Sequence, residues 1–408
     1  MQLYPYQQEG VAWLANPERA HKLLADDLGL GKSAQAITAA VKAGVRAAAI
    51  VCPSSLIENW HREIKLWSQA AIKWTVVSYD MAARGALDGQ TFDLLICDEA
   101  HYLKNKAAKR TLAIYGKNGI ARRSRRVWLL TGTPTPNNPS ELWTHLAALA
   151  PDTIPARTAG KPLAFWSFVD RYCKTVDTGF GVKITGGRNL GELKERIAPF
   201  VLRRRKEDVL TDLPPITFDT LPVAATPPPI DAEDYARISR ALERGIDGLA
   251  EIAPHIAQLR RLTGLAKVEG VRKWVDYFLE GSDRKLVIFA YHRDVIAQLS
   301  DIPGSVTVHG GTTDRQKAID AFQLGEARVF IGQITAAGTG LTLTAASDML
   351  FVESSWVPAE NEQAAMRIHR ISQRSACSVR VAMIPRSLDE QIAEACVRKM
   401  LSIREIFS

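Results

Sequence analysis

The sequence predicts an α/β protein of two lobes, each built on a parallel sheet and joined by a linker. Short apolar runs of strand length alternate with helix-forming sequence in two separate stretches, as expected for strands covered on both faces. Between these stretches, six of the twenty prolines fall within Pro214–Pro229, which favours an extended connector. A length of 408 residues accommodates two or three such domains.

Each lobe is expected to contain four buried strands. In the first lobe they are Ala47–Cys52, Trp74–Val77, Phe92–Cys97 and Val127–Leu130. In the second they are Lys285–Phe289, Val306–Val308, Arg328–Ile331 and Met349–Val352. A helical stretch from Asp231 to Val268 leads into the second lobe, and a brace helix over Leu388–Met400 follows it.

Composition excludes several classes of protein. Hydrophobic residues make up 46% and charged residues 24% of the chain, which argues against disorder, collagen and coiled coils. The five cysteines form no C-x-x-C pair, so neither a zinc site nor a disulfide framework is expected, and a reducing compartment is the default. The first residues do not resemble a signal peptide, and no apolar run has membrane-spanning length. We therefore expect neither secretion nor membrane insertion.

The positive charge is concentrated in one segment. The formal net charge is +8, yet the segment from Lys104 to Arg126 alone holds nine Lys or Arg residues and no acid. Such a cluster is typical of a surface that faces phosphate, and a solvated basic loop is the alternative.

A glycine-rich segment before a helix-forming stretch predicts a phosphate site. Glycines let backbone N–H groups approach phosphate oxygens, Lys32 supplies positive charge, and the Ser33 hydroxyl can coordinate Mg²⁺. The strict phosphate-loop pattern has glycine where this chain has Asp26, so an ordinary turn is the alternative. The residues expected to hold a nucleotide are Asp26, Asp27, Gly29, Leu30, Gly31, Lys32 and Ser33.

Two adjacent carboxylates follow the third predicted strand. Parallel sheets bind ligands at the carboxyl ends of their strands, which is where Asp98 and Glu99 fall. We expect Asp98 to hold Mg²⁺ through water and Glu99 to orient and deprotonate the water that attacks the γ-phosphate. An acidic surface turn is the alternative, and His101 alone is more often structural.

Two segments in the second lobe also contain residues that suit contact with phosphate. Arg367 and Arg370 are three residues apart, so a helix would present both on one face, either as arginine fingers for ATP hydrolysis or as a surface salt-bridge face. The loop from Thr335 to Thr344, which contains Gly340, suits contact with the phosphates of ATP or of a nucleic acid; a plain surface loop is the alternative.

Taken in order, these motifs resemble the Swi/Snf-type DNA translocases of helicase superfamily two over nearly the whole chain. The segment around Gln7 resembles the glutamine motif that reads adenine in that family, and Asp26–Ser33 resembles motif I, which often has aspartate at its first position. Asp98–His101 resembles motif II, and Leu130–Asn137 resembles motif III. Motifs IV to VI would run from Val287 to Gln373. The resemblance implies two RecA-like lobes with a helical protrusion, and the use of ATP and Mg²⁺.

The resemblance also implies contacts with DNA. The segment that contains Ser54, Asn59 and Trp60 resembles motif Ia, and Tyr79 lies in a segment that resembles motif Ib. For any single tryptophan, burial in the core is the alternative. The implied DNA-contact residues are Ser54, Asn59, Trp60, Tyr79, Lys104, Thr133, Thr335 and Trp356.

The expected domain plan follows the motifs. It comprises an ATP-binding lobe over 1–155, a protrusion and linker over 156–230, a helical segment over 231–268, a C-terminal lobe over 269–385 and a brace helix over 386–408. Within the family, the residues of several motifs are most similar to those of the fork-remodelling, strand-annealing subgroup. Departures from the family pattern are Asp27 in place of glutamate, Thr135-Pro136 in place of leucine-glutamine, and Ser372 in place of glycine.

The resulting hypothesis is an ATP-driven translocase on double-stranded DNA, in which lobe closure brings Arg367 and Arg370 to the γ-phosphate. Phosphate contacts would make binding sensitive to salt and largely independent of sequence. The alternatives are a strand-separating helicase and a nucleic-acid-binding scaffold with weak ATPase activity. We expect a monomeric motor, with targeting through DNA shape or a partner chain, in the cytoplasm of a prokaryote or virus-infected cell or in a eukaryotic nucleus.

Overall fold

The computed structural model describes residues 2–132, 134, 138–157, 161–162, 164–177, 181–210, 212–243, 248–249, 252–253, 256–337 and 341–406. The chain divides into two compact units, Met1–Val209 and Leu210–Ser408. In the described residues, each unit contains a six-stranded parallel sheet flanked by helices. The predicted fold class of two α/β lobes with parallel sheets is therefore confirmed.

Unit 1 alternates strands and helices along the chain. Its strands are β1 (His21–Leu24), β2 (Ala47–Cys52), β3 (Lys73–Ser78), β4 (Phe92–Asp98), β5 (Ser124–Leu130), β6 (Ala156–Arg157), β7 (Lys161–Pro162), β8 (Cys173–Asp177), β9 (Val182–Gly187) and β10 (Val201–Leu202). Its helices are α1 (Pro5–Ala15), α2 (Lys32–Lys42), α3 (Ile57–Trp67), α4 (Tyr79–Ala83), α5 (Lys109–Tyr115), α6 (Trp143–Leu149), α7 (Phe165–Tyr172), α8 (Leu190–Ile197) and α9 (Lys206–Val209).

The sheet of unit 1 has the strand order β10-β1-β5-β4-β2-β3. Its central strands are apolar on both faces, because separate groups of buried side chains cover each face of the sheet. One face packs around Phe168 and Tyr172, and the other around Trp60 and Trp128. The segment predicted as a helical protrusion contains α7 and α8, together with an antiparallel pair formed by β8 and β9.

Unit 2 repeats this architecture. Its strands are β11 (Ile216–Pro222), β12 (Lys285–Ala290), β13 (Ser305–Val308), β14 (Val329–Gln333), β15 (Ala346–Phe351) and β16 (Cys377–Met383), in the sheet order β11-β16-β15-β12-β14-β13. Its described helices are α10 (Ala232–Leu242), α11 (Ala257–Gly281), α12 (Arg293–Leu299), α13 (Arg315–Gln323), α14 (Ile334–Ala337), α15 (Pro358–Ala365) and α16 (Leu388–Ile406).

The structure corrects the expected connector. Within Pro214–Pro229, residues 216–222 form edge strand β11, which pairs in parallel with β16 along its full length. Proline is tolerated there because Pro222 ends an edge strand, where a missing N–H leaves no central ladder incomplete. The helical segment expected to end at Val268 also differs, since α11 continues to Gly281.

The brace helix is longer than predicted, running from Leu388 to Ile406. Its first turn is fixed by a buried ion pair in which Lys267 Nζ lies 3.1 Å from Asp389 Oδ1. Asp389 Oδ2 also accepts a hydrogen bond from the backbone of Ile384. In the part of the chain that the structure describes, no helix is both long and apolar enough to cross a membrane.

Candidate active site

The candidate site of unit 1 lies at the carboxyl ends of its strands. β1 leads into the glycine-rich segment Asp26–Ser33, β4 ends at Asp98, β5 leads to Thr131, and β10 leads to Arg203. Because all six strands are parallel, these segments emerge at the same edge of the sheet. The strand order explains how residues far apart in sequence meet there.

The glycine-rich segment ends in left-handed backbone before helix α2. Gly29 has φ 87° and Gly31, which is the N-cap of α2, has φ 72°. The left-handed conformation of Gly31 favours glycine, and a Cβ atom built there would lie 2.4 Å from Gln7 Nε2, so a side chain would also displace the Gln7 amide. Helix α2 therefore begins at a left-handed glycine, and the N-terminus of a helix is the kind of site that binds a phosphate group.

Lys32 is the first residue of α2 and its ammonium folds back on the loop. Nζ donates to the carbonyl oxygens of Asp26, at 2.6 Å, and Asp27, at 3.1 Å. Desolvation lowers the pKa of Lys32, while the negative charges around it, led by Glu99, act in the opposite direction. The ammonium is therefore held within a field of carboxylates that an anionic ligand would share.

The two acidic residues at the start of the segment form ion pairs with arginines. Asp26 is fully buried and receives hydrogen bonds from the guanidinium of Arg204 and from Gln35 Nε2. Asp27 Oδ1 accepts from Arg203 Nη2 at 3.1 Å. Both carboxylates thus bind the segment that follows β10, and a part for Asp26 and Asp27 in holding a nucleotide stays a prediction.

Gln7 also contacts the loop. Its Nε2 donates to Leu30 O at 3.2 Å, and its Oε1 accepts from the backbone of Tyr4 at 3.0 Å. Tyr6 OH donates to the same Leu30 carbonyl. Adenine reading by Gln7 stays a prediction, and the contact shows that Gln7 supports the backbone of the glycine-rich segment.

Asp98, at the end of β4, is held on both carboxylate oxygens. Oδ1 accepts from the backbone N–H of Glu99 at 3.0 Å, and Oδ2 accepts from Trp60 Nε1 at 2.8 Å. Desolvation and the charge of Glu99 raise the pKa of Asp98 to about 6, although the Trp60 hydrogen bond and Lys32 oppose the rise. The Tyr79 hydroxyl donates to the main-chain oxygen of Asp98 at 2.9 Å.

Glu99 has a strained backbone. Its φ of 51° and ψ of 51° place a non-glycine residue in the left-handed region, which costs on the order of 1 kcal/mol or more. Its Oε2 lies 3.3 Å from His101 Nδ1, and the same nitrogen lies 3.3 Å from Thr131 Oγ1. His101 thus connects the residue after β4 to the residue after β5, in addition to any structural role.

The residues at this edge fit a magnesium ion shared with phosphates. Among the described residues, no cluster of three or more His, Cys, Asp or Glu side chains could hold a metal by itself. Mg²⁺ commonly takes one or two protein groups and completes its shell with water and substrate phosphates. Asp98, at the end of β4, and Ser33, in the first turn of α2, supply oxygen ligands of that kind.

In unit 2, the two predicted arginines follow helix α15 rather than lie on it. The helix ends at Ala365, and residues 366–370 form turns, so the expected helical spacing is wrong. Arg370 Nη1 donates to Thr342 Oγ1 at 2.7 Å, and Arg367 Nη1 lies 3.4 Å from Leu341 O. Both arginines are thereby joined to the loop that follows α14.

Three predicted DNA-contact aromatic residues are buried. Trp60 has no exposed surface, Tyr79 is 3% exposed and Trp356 is 6% exposed. Burial corrects the prediction that their rings contact DNA, and the core alternative holds for both tryptophans. The guanidinium of Arg260 lies 4.5 Å from the Trp356 ring centroid and 3.9 Å from that of Tyr291.

Other predicted DNA contacts lie nearer to solvent. Ser54 and Thr335 are exposed, and Asn59 is half-buried. Lys104 Nζ pairs with Glu141 Oε1 at 2.9 Å and remains partly exposed. Thr133, Gly340 and the Thr135-Pro136 pair lie outside the described residues.

The basic cluster divides between two edges of the sheet. Lys104 and Lys106 follow the short 3-10 helix after β4, at the carboxyl ends of the strands. Residues 122–126 lead into and begin β5, at the opposite edge. Arg125, whose side chain is 81% exposed, lies 3.8 Å from Asp93 there. Only the first part of the cluster is therefore near the candidate site.

Comparison with known domain families identifies both units. The SNF2-related domain matches residues 6–93 and 82–227, which together cover more than half of the chain. The chain belongs to the SNF2-related family. The helicase conserved C-terminal domain matches residues 267–372 of this SNF2-related protein.

Curated relatives match the SNF2-related chain along nearly all of its length. A SWI/SNF-related matrix-associated actin-dependent regulator of chromatin subfamily A-like protein 1 from Xenopus tropicalis is 31% identical over 423 residues, which is 96% of this chain and 43% of the relative. The human DNA annealing helicase and endonuclease ZRANB3 is 30% identical over 440 residues, covering 95% of this chain and 39% of the relative. The chain thus spans less than half the length of these two relatives.

A solved structure is also similar. The Sulfolobus solfataricus SWI2/SNF2 ATPase core in complex with dsDNA matches with a TM-score of 0.46 and 22% identity, over 100% of this chain and 92% of that chain.

Arg203 and Arg204 are the residues whose roles at the site the sequence did not predict. They lie in a run of three arginines and a lysine directly after β10. This run of positive charge after two apolar residues could have indicated their role, because clustered arginines commonly pair with acidic residues. The partners themselves lie nearly 180 residues away in sequence.

Proposed function

We propose that this SNF2-related protein is a DNA-dependent ATPase that translocates on double-stranded DNA and remodels DNA or DNA–protein complexes. The observation that carries the proposal is the meeting, at one edge of the sheet, of Lys32 at the start of α2 with the Asp98–Glu99 pair at the end of β4. Family membership supports the same activity, as do the two relatives, which are named as a SWI/SNF-related regulator of chromatin and a DNA annealing helicase.

In unit 1, the backbone from Gly29 to Ser33 would bind the phosphates of ATP, and Lys32 would leave its carbonyl partners to neutralise their charge. Ser33 and Asp98 would hold Mg²⁺, which neutralises phosphate charge when bound. Glu99 would orient the attacking water and accept its proton. The strained backbone of Glu99 supports this role, since such strain is commonly retained at functional positions.

In unit 2, Arg367 and Arg370 would stabilise the negative charge that develops during hydrolysis. Their hydrogen bonds to Leu341 and Thr342 support the proposal that Gly340, the residue before Leu341 in the sequence, also takes part in binding ATP. Ser372, in place of the usual glycine, adds a bond between its hydroxyl and Thr344 Oγ1 at 2.9 Å.

For DNA, the proposed contact residues are the accessible ones, namely Ser54, Asn59, Lys104 and Thr335, together with Thr133. Hydroxyl, amide and ammonium groups bind the phosphate backbone, so affinity should fall with salt and depend little on sequence. The proposal also includes a monomeric motor that is targeted by DNA shape or by a separate chain. It would act in the cytoplasm of a prokaryote or virus-infected cell, or in a eukaryotic nucleus.

The decisive variant is Glu99→Gln. Removing the general base while keeping a side chain of the same shape should reduce DNA-stimulated phosphate release by at least about a hundredfold. Binding of ATP and of duplex DNA should remain near wild type, as measured by fluorescence anisotropy. Turnover at the wild-type rate in this variant would contradict the assigned role.

Choice of DNA separates the alternatives. A closed duplex without single-stranded ends should stimulate phosphate release fully if the protein tracks along double-stranded DNA. Stimulation by single strands alone would favour a strand-separating helicase, and hydrolysis unchanged by any DNA would favour a scaffold. Because one relative is a DNA annealing helicase, forked DNA is the informative third substrate.

A further inference from the structure

Trp60 makes an interaction that its burial alone does not require. The residue lies on helix α3, its ring is fully buried within the core on one face of the unit 1 sheet, and its indole N–H reaches the carboxylate of Asp98. The distance from Nε1 to Oδ2 is 2.8 Å, which is short for an N–H···O bond and typical of a charged acceptor. A tryptophan of the core therefore donates a hydrogen bond to the carboxylate that is the candidate metal ligand.

Asp98 is restrained from several directions. The other carboxylate oxygen, Oδ1, accepts from the backbone of Glu99, and the main-chain carbonyl of Asp98 accepts from the Tyr79 hydroxyl. Each of these donors is neutral. A neutral donor orients a carboxylate without cancelling its charge, so the carboxylate retains its attraction for a cation.

We propose that Trp60 is a positioning residue that fixes the Asp98 carboxylate for a divalent cation. The proposal rests on the proposed function, in which Asp98 helps to hold that cation. Without the indole N–H, Asp98 could rotate about its side-chain bonds, and its Oδ2 would lose a hydrogen bond. Loss of such an outer-shell partner typically weakens metal binding by about tenfold to a hundredfold.

Trp128 provides a matched control. It lies on β5, is fully buried in the same core as Trp60, and its Nε1 has no hydrogen-bond partner among the described residues. Trp128→Phe removes the same indole atoms from the same core as Trp60→Phe, but leaves the Asp98 carboxylate untouched. A difference between the two variants therefore reports the hydrogen bond rather than loss of packing.

The test measures Mn²⁺ binding in the presence of ADP by electron paramagnetic resonance, with the full chain. We expect Trp60→Phe to weaken Mn²⁺ binding about tenfold or more, and Trp128→Phe to change it less than about twofold. Affinity for duplex DNA should be the same in both variants. Equal Mn²⁺ affinity in wild type and Trp60→Phe, or equal weakening in both variants, would overturn the proposal.

A second replacement covers the case in which Trp60→Phe does not fold. A benzothienylalanine at position 60 keeps the shape of the indole and replaces its N–H with sulfur, so only the donor is lost. It should reproduce the weaker Mn²⁺ binding, and wild-type affinity in this protein would again overturn the proposal. A wild-type protein that binds Mn²⁺ with ADP but shows no DNA-stimulated hydrolysis would refute the proposed function and leave the role of Trp60 standing.

Discussion

The guanidinium of Arg204 binds both carboxylate oxygens of Asp26, with Nε 3.0 Å from Oδ1 and Nη2 2.5 Å from Oδ2. Asp26 is fully buried, and the Arg204 side chain is 11% exposed. Gln35 Nε2 and the backbone N–H of Arg204 add two further hydrogen bonds to the same carboxylate. The aspartate that replaces glycine at the start of the phosphate loop is thus neutralised by a residue beyond β10.

Replacing Arg204 with methionine should destabilise unit 1 strongly. The substitution would leave the Asp26 carboxylate buried without its cation, which typically costs about 3–5 kcal/mol of unfolding free energy. Arg19→Met is the control, because Arg19 pairs with a largely exposed Asp152 and should cost less than about 1 kcal/mol. Urea unfolding of both variants measures the difference, and similar midpoints would contradict the prediction.

Gly31→Ala should weaken nucleotide binding. A methyl group at this position would occupy left-handed backbone and would lie 2.4 Å from Gln7 Nε2, so either the Gln7 amide would leave its hydrogen bond with Leu30 O or the glycine-rich segment would shift. We expect ADP affinity to fall at least about tenfold, as measured by calorimetry. Gly44→Ala is the matched control, since Gly44 has φ +66° and no atom within 4 Å of the added carbon. A comparable loss in both variants would point to general destabilisation instead.

His145 predicts an acid-sensitive term in the stability of unit 1. Burial, together with the nearby His101, lowers the pKa of His145 from 6.5 to about 4, and its Nδ1 lies 2.9 Å from Tyr115 OH. Between these two values the unfolded chain binds more protons than the folded chain, so stability falls as pH drops from about 6.5 towards 4. At pH 5 the loss is on the order of 2 kcal/mol.

Urea unfolding at pH 7.5 and pH 5 checks this term. His145→Gln should be less stable than wild type at pH 7.5, because it loses a buried aromatic ring, but it should show a smaller decrease between the two pH values. An equal decrease in both proteins would assign the pH dependence to other groups.

The brace helix offers a fourth test. Lys267→Met would leave Asp389 without its cation in a largely buried position, so the first turn of α16 should open more readily. Hydrogen exchange of α16 amides should accelerate by at least about tenfold. Lys273→Met, on the same helix α11, removes only an exposed pair with Glu269 and should leave exchange in α16 unchanged.

Strand positions were largely predictable because they depend on local pattern. Apolar runs such as Phe92–Cys97 and Lys285–Phe289 match β4 and β12 to within one residue. The strand β1 was missed because it contains a buried lysine, Lys22, whose ammonium caps the end of α1 through backbone carbonyls. In a strand of only four residues, one lysine is enough to interrupt the apolar run from which a buried strand is predicted.

The roles of Trp60 and Tyr79 were not predictable from the sequence alone. Both lie in segments that the family resemblance assigns to DNA contact, yet both donate to Asp98. What decides their roles is that β2 lies beside β4 and β3 lies beside β2 in the sheet, so that the segments after these two strands converge on the end of β4. Sheet order is a long-range property that residue spacing does not report.

The pairing of β11 with β16 carries a consequence for biosynthesis. When β11 leaves the ribosome, its partner β16 (Cys377–Met383) has not yet been synthesised, because it lies about 160 residues further along the chain. The sheet of unit 1 is complete once β10 has emerged, whereas β11 must wait, with its edge open, until nearly the whole of unit 2 has been made. Folding during translation should therefore be sequential, and the interval before β16 emerges is when the nascent chain is most exposed to wrong strand pairing and most dependent on chaperones.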